Sequence, residues 1–347
     1  PVAIYVFFCM VLFIGFKAFN MEALAVGGFL ALLIGGLFCT SYSEFWESAI
    51  KGISSITSVS VVVILLLVGM FSALIKLCGL SGGFVWIANA VGMKGGIFVA
   101  FTFLAACIIS TATGSSIGTM FIAFPIFYPA GIMLGANEMM MAGSIVSGAI
   151  FGDNLAPISD TTIAATRSQH CEMRDKFRVN FLTALPAALV TIVVLLIVGR
   201  PETVTEIGDL SYSFIKVIPY LLVLILALVG MNVFLVLTIG IFAAGIVGIA
   251  TGAIDLAGFA QAVYNGFCGM NEVFFLTLLC GGMSELIAKN GGIEWIIQKL
   301  GKVMKGNKSA QVGIAAMVSL CDCATANNTV AIIVAGDMAR EVSHEYK

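Results

Sequence analysis

Apolar runs close to the length of a bilayer crossing recur from one end of this chain to the other: Val2–Phe16, Ala23–Cys39, Ile56–Leu77, Phe177–Val198, Phe214–Val229, Val233–Ile249 and Val273–Ala288. A helix needs about 20 apolar residues to cross hydrocarbon. Lipid satisfies no peptide group, so only helices and closed barrels qualify as spanning structures. The runs are continuous rather than alternating, and rich in Ile, Leu, Val, Phe, Ala and Gly, which selects helices over a barrel. Composition agrees: 60% of the 347 residues are hydrophobic and 10% charged, where a soluble domain carries about 25% charged residues. The expected fold class is an all-α polytopic membrane protein whose first partner is the lipid bilayer. A net charge of −2 gives no signal for nucleic acid. The nine cysteines are scattered through apolar runs, and Cys321 and Cys323 lack the spacing of a zinc or redox motif, so reduced thiols are expected. The chain opens at Pro1-Val2-Ala3-Ile4 without a charged leader, and no signal peptide is expected.

Two regions between the runs are irregular. From Gly96 to Gly131 an apolar stretch is interrupted at Ser110-Thr111-Ala112-Thr113-Gly114-Ser115-Ser116. The arms, of about fifteen residues each, are short for two crossings at about 1.5 Å per residue, so a re-entrant hairpin over 96–131 is expected. From Met139 to Gln169 a helical pattern breaks at Gly152-Asp153-Asn154-Leu155-Ala156-Pro157-Ile158-Ser159-Asp160 and resumes. Gly and Pro supply the interruption, which reads as a discontinuous transmembrane helix.

The chain also repeats itself. Ser72-Ala73-Leu74-Ile75 followed by Gly82-Gly83-Phe84-Val85-Trp86-Ile87 recurs as Ser284-Glu285-Leu286-Ile287 followed by Gly291-Gly292-Ile293-Glu294-Trp295-Ile296. Ala112-Thr113-Gly114-Ser115-Ser116 aligns with Ala324-Thr325-Ala326-Asn327-Asn328. Five crossings per copy would invert the second copy relative to the first, as in many transporters. The expected organisation is a first inverted repeat over 1–200 and a second over 201–347, with a hairpin starting near 310. The second copy stops soon after that hairpin, so a C-terminal portion is expected to be missing. With the N-terminus cytoplasmic, Lys51, the cluster Arg167, Arg174, Lys176 and Arg178, and the lysines from Lys289 to Lys308 face the cytoplasm, in line with the bias of Lys and Arg to that side.

Charges at mid-membrane cost from about 3 kcal/mol upward, so Asp153, Asp160 and Asp322, each beside a break, need a partner or a function. Unwound segments expose carbonyls to cations, and half-helix N-termini attract anions. Asp153, Asn154, Ser159, Asp160, Thr161 and Thr162 could supply hard oxygen ligands to Na⁺. A buried carboxylate could equally take a proton, since desolvation favours its neutral form and a bound cation its ionised one. Asp160 serves equally well as an N-cap before Thr161. The tips Thr113, Ser115 and Ser116, and Asp322, Thr325, Asn327 and Asn328, are expected to converge on the same site, with Asp153 and Asp322 as the Na⁺-binding, titrating carboxylates. Paired buried aspartates also suggest an intramembrane aspartyl protease, but Ala149-Ile150-Phe151-Gly152-Asp153 lacks the Gly-x-Gly-Asp pattern. Glu272 is either a proton relay or a solvated interface residue. His170 and His344 read as surface residues, and Glu138 and Lys94 as interfacial anchors.

The stretch Gly152-Asp153-Asn154-Leu155-Ala156-Pro157-Ile158-Ser159-Asp160-Thr161-Thr162 resembles the Gly-Asp-Lys-x-Ser-Pro-x-Ser-Asp-Thr-Thr signature of the NhaC-type sodium/proton antiporters, within the ion transporter superfamily. Ala112 to Thr119 is similar to that family's Thr-Gly-Thr/Ser-Ser-x-Gly-Thr element, and Asp322 to Thr329 looks like its counterpart in the second repeat. The resemblance implies a secondary transporter of the bacterial cytoplasmic (inner) membrane rather than an enzyme. No cofactor is expected, Na⁺ and H⁺ being the transported ions, and a homodimer is compatible with it. Asn154 replaces the family's Lys and Ala156 its Ser. Exchange or symport of a small carboxylate or amino acid, coupled to Na⁺ or H⁺, therefore stays open beside Na⁺/H⁺ antiport.

Overall fold

The structure, a computed structural model, describes residues 1–17, 20–78, 85–86, 88, 91–93, 95–199, 214–301, 304, 306–325 and 328–345. Lys94, Asn327 and most of the Gly82–Ile87 landmark lie outside the described residues. Among those described the chain is helical: α1 Val2–Met10, extended by a π turn at Val11–Gly15, α2 Met21–Leu37, α3 Tyr42–Ile53, α4 Ile56–Leu77, α5 Gly96–Thr113, α6 Ser116–Met133, α7 Glu138–Leu155 and α8 Asp160–Ser168. Then follow α9 Met173–Val198, α10 Phe214–Leu228, α11 Val233–Ala250, α12 Leu256–Cys268, α13 Asn271–Lys289, α14 Gly292–Gly301, α15 Asn307–Thr325 and α16 Asn328–Glu345.

Helices α4, α5, α6, α9, α11 and α13 are long and apolar enough to cross a membrane, and α1 with its π turn, α2 and the Ile215–Leu228 stretch of α10 are apolar but shorter. The expected runs appear with ends shifted by a few residues. The amphipathic helices α3 and α12 were not among them. Along α9 only Ala188 and Leu195 are buried, and Leu182, Leu189, Val190 and Ile197 are exposed. Such a face suits lipid as its solvent, since water tolerates apolar patches of that extent poorly.

Two compact units divide the chain. One comprises 1–65, 164–171 and 270–347, the other 66–163 and 172–269, so each draws on both the early and the late part of the sequence. In the first unit α13 packs on α2 and α3, and α15 packs on α14 and α16. Gly52 of α3 lies directly against the carbonyl of Gly281 on α13. Lys51 donates to Glu285 at 2.6 Å across the same contact. In the second unit α7 is the central helix, packed by α5, α6 and α9. Gly266 of α12 lies against the carbonyl of Gly69 on α4.

The α5–α7 contact is the most extensive among the described helices, and its cause is a row of small residues. Ser144, Gly148 and Gly152 stand at four-residue spacing on one face of α7, all buried. This spacing lets backbones approach without side chains between them. A Cβ on Gly148 would sit 2.5 Å from the Phe103 carbonyl oxygen, and one on Gly152 would collide with that of Cys107. Overpacking typically costs about 1–3 kcal/mol. Gly152→Val is therefore expected to lower the thermal midpoint of the detergent-solubilised protein by several degrees, whereas Gly143→Val, at a position with nothing within 4 Å, leaves it near wild type.

Candidate ion-binding site

The polar stretch of α5 stays helical through Thr113, so its arms are 18 residues each, not the fifteen expected. The hydroxyls explain the difference. Thr111 donates to the Cys107 carbonyl of its own helix at 2.8 Å, and Thr113 reaches the Thr119 hydroxyl at 3.0 Å. Hydroxyl groups thus satisfy themselves on the helix instead of breaking it. The interruption narrows to Gly114, at φ +66°, and Ser115, whose Oγ caps α6 by accepting from Gly118 N–H at 3.1 Å.

The α7–α8 break is likewise shorter than expected. Asp153 and Asn154 belong to the last turn of α7, and the unwound segment is Ala156–Ser159. Gly152 serves the close approach to α5, not the break. Pro157 makes the break by forcing Ala156 into an extended conformation, φ −68° and ψ 125°. The Ser159 carbonyl accepts the first helical bond of α8, from Ile163 N–H at 2.9 Å, so Ser159 and not Asp160 holds the cap position. Asp160 opens α8 with its side chain exposed.

The two interruptions meet. A Cβ on Gly114 would lie 3.1 Å from the Ile158 carbonyl carbon and from the Ser159 nitrogen, so the tip of α5–α6 rests on the unwound segment. The last carbonyls of α7, which a helix end leaves without partners, are taken up by side chains. Thr111 donates to Gly152 at 3.2 Å and the Lys176 ammonium to Asn154, while Ser110 adds a bond at 2.6 Å to Ala149, one turn earlier in the helix. The same ammonium donates to Thr162 Oγ1 at 2.7 Å. Asn180, one turn further along α9, donates to Asn154 Oδ1 at 2.8 Å. Ser159 is buried and shares a hydrogen bond with Thr161 at 2.8 Å.

At the centre stands Asp153, 8% exposed, whose Oδ1 has no hydrogen-bond partner. Leaving a buried acceptor unmatched costs about 1–3 kcal/mol, more for a charged group. Such an oxygen calls for a proton or a cation. Of the residues named from the sequence, the structure brings Asp153, Asn154, Ser159 and Thr161 together at this break, with Thr113 and Ser115 at the adjoining tip and Ser116 opening α6. Sequence reasoning missed Lys176 and Asn180. Both lie, at four-residue spacing, in the polar opening turns of α9 with Arg174, Asp175 and Arg178, ahead of its apolar run.

Asp322 lies in the first unit, half-buried on α15. Thr325 ends that helix, and Asn328 opens α16 with its side chain exposed. Glu272, His170, His344 and Glu138 are all exposed. Among the described residues no three His, Cys, Asp or Glu side chains form a cluster able to hold a metal ion.

Residues 2–200 match the sequence model of the Na⁺/H⁺ antiporter family. A malate-2H⁺/Na⁺-lactate antiporter of Bacillus subtilis is 29% identical over 300 residues, covering 82% of this chain and 61% of the relative. The Na⁺/H⁺ antiporter NhaC of Alkalihalophilus pseudofirmus is 30% identical over 205 residues, 55% of this chain and 44% of the relative. The arginine/ornithine antiporter ArcD of Halobacterium salinarum is 24% identical over 289 residues, 72% and 58%. The chain thus spans less than two thirds of each of these relatives. No solved structure matches it.

Backbone at Gly114 is the joint between the tip and the break. A left-handed residue with a side chain costs about 1–2 kcal/mol. Gly114→Ala adds contact with Ile158 and is expected to destabilise the protein by at least that much, read as a lowered thermal midpoint. Gly92→Ala, at φ +75° with nothing within 4 Å, controls for the backbone cost alone.

Proposed function

From the premise that this chain belongs to the Na⁺/H⁺ antiporter family, we propose that it is a secondary active transporter exchanging Na⁺ for H⁺ at Asp153. The observation that carries the reading is the unpartnered, buried carboxylate oxygen of Asp153 at the meeting point of two helix interruptions. Na⁺ binds the ionised carboxylate together with the hydroxyl and carbonyl oxygens around it, and a proton on the same oxygen excludes Na⁺. If only the loaded forms interconvert between the two sides, the competition is exchange. Asp322, in the polar tract of the second copy that aligns with the Ser110–Ser116 stretch, is proposed as a further carboxylate of the scheme, with Asp160, Asn327 and Asn328 as further polar groups. Na⁺ and H⁺ are cargo, so the scheme needs no cofactor and makes or breaks no covalent bond beyond proton transfer.

Inverted repeats with paired hairpins are part of this proposal, and the helix limits support them. Helices α5 and α15 end at Thr113 and Thr325, and α6 and α16 span Ser116–Met133 and Asn328–Glu345. α4 and α13 end at Leu77 and Lys289, and α2 and α11 begin at Met21 and Val233. Each pair is displaced by the same 212 positions, as from Thr113 to Thr325. The glycine contacts are close to reciprocal: Gly52 of α3 meets Gly281 of α13, and Gly266 of α12 meets Gly69 of α4, Gly69 and Gly281 being equivalent under that displacement and Gly266 lying two positions past the equivalent of Gly52. Reciprocity of this kind is what a two-fold relation between copies generates. The repeat limits proposed are 1–200 and 201–347. In this reading the protein sits in a bacterial inner membrane with its N-terminus cytoplasmic, placing the Arg167–Arg178 cluster on the side where basic residues accumulate.

A second reading, exchange of a small organic acid or amino acid, is favoured by the 82% coverage of this chain by the malate/lactate antiporter and by Asn154 at the position of the family's Lys. Proteoliposomes containing no organic solute separate the two. Na⁺-dependent proton flux is expected there, and flux that appears only on adding a carboxylate or amino acid establishes the second reading instead. Asp153→Asn is expected to abolish coupled flux while the protein still elutes as a single folded species in detergent. Exchange by that variant at the wild-type rate contradicts the role of Asp153.

A further inference from the structure

Lys176 does more in this structure than close a helix end. Its Nζ donates to the Asn154 carbonyl and to Thr162 Oγ1 at 2.7 Å, two hard oxygens on either side of the α7–α8 break. Asp153 lies within electrostatic range of the same ammonium, yet no N···O contact of ion-pair length joins them among the described residues. A carbonyl oxygen and a hydroxyl, next to a buried carboxylate, are the ligand types that a small cation takes. The motif position that carries Lys in the family carries Asn154 here, and α9 delivers a lysine to that residue's own carbonyl. A positive charge thus stands at the break, carried by α9. A cavity of about 290 Å³, lined by Leu155, Pro157, Thr162, Met173, Arg174 and Phe177, opens beside Lys176 at the break.

We infer that Lys176 is a tethered cation: in the ion-free protein its ammonium occupies the Asn154 and Thr162 oxygens, and an arriving Na⁺ takes them by displacing it. The inference rests on the antiport reading and adds to it the residue that sets cation affinity. A buried carboxylate with neither proton nor metal is costly in hydrocarbon, and a lysine on a flexible stem compensates that charge without being transported. Asn180, bonded to the Asn154 side chain, positions the same residue from one turn along α9.

The bland alternative is that Lys176 merely caps α7, a favourable place for a cation at a helix C-terminus. Loss of a cap lowers stability but does not tighten Na⁺ binding. The Na⁺ dependence of proton flux in proteoliposomes therefore discriminates. Removing a resident competitor removes its penalty on apparent affinity, so Lys176→Gln is expected to lower the half-saturating Na⁺ concentration by about fivefold or more. Lys176→Arg, which keeps the charge, is expected to stay within about threefold of wild type, and Thr183→Ala, an exposed hydroxyl bonded to its own helix, unchanged. A second measurement uses the wild-type protein alone: Na⁺ is expected to increase modification of Lys176 by a small amine-reactive reagent, quantified by mass spectrometry. Half-saturation in Lys176→Gln equal to or above wild type, or labelling that Na⁺ leaves unchanged or suppresses, overturns the inference while antiport stands. Absence of Na⁺-driven proton flux in the wild type overturns the antiport reading and the inference together.

Discussion

A helix interrupted in hydrocarbon leaves peptide groups that lipid cannot satisfy, and the architecture around α7 follows from how those groups are satisfied. The last turn of α7 hands carbonyls to Thr111 and Lys176, and Ser110 bonds the turn before it. Ser110 and Thr111 reach α7 because Gly148 and Gly152 let α5 come to backbone distance. The tip at Gly114 then rests on Ile158 and Ser159, closing the gap that Pro157 opens. What remains unmatched at the end of this accounting is one oxygen of Asp153. Small residues, hydroxyls and a lysine of α9 thus converge on a single unmet electrostatic demand.

That demand suits a small cation or proton better than a large ligand. The groups beside Asp153 are single oxygens on rigid helix ends, and the amides of Asn154 and Asn180 already satisfy one another. Site geometry fixed by helices rather than loops is also the arrangement in which a sub-ångström preference for one cation can be expressed. The organic exchangers among the relatives show how far substrates vary on related sequences. The residues that differ from the family signature, Asn154 and Ala156, lie at the end of α7 and the start of the break, where such variation would act.

Much of this was legible in the chain itself. Apolar runs gave the helices, Pro157 gave the interruption, and Gly152 to Thr162 gave the location of the buried carboxylate, because a charge inside an apolar run has few structural excuses. The errors share one cause. Gly152, Ser110 and Thr111 read as helix breakers, but their partners are on neighbouring helices, and tertiary packing turned them into contact and clamp residues within continuous helices. Lys176 and Asn180 lie 22 and 26 residues from Asn154, so no local pattern linked them to the site. Lys176 read as part of a basic cluster that sets orientation. The amphipathic helices α3 and α12 were passed over because their apolar residues recur at helical spacing instead of in a run.

The central claim is that proton and Na⁺ compete for the carboxylate of Asp153. Difference infrared spectroscopy of the purified protein in lipid, recorded as Na⁺ is added at a pH where the site is protonated, observes that carboxyl directly. The account predicts that Na⁺ removes a protonated-carboxyl band, with release of a proton to the medium, and that Asp153→Asn lacks the band. A band that persists at saturating Na⁺, or that is unchanged in Asp153→Asn, would contradict it.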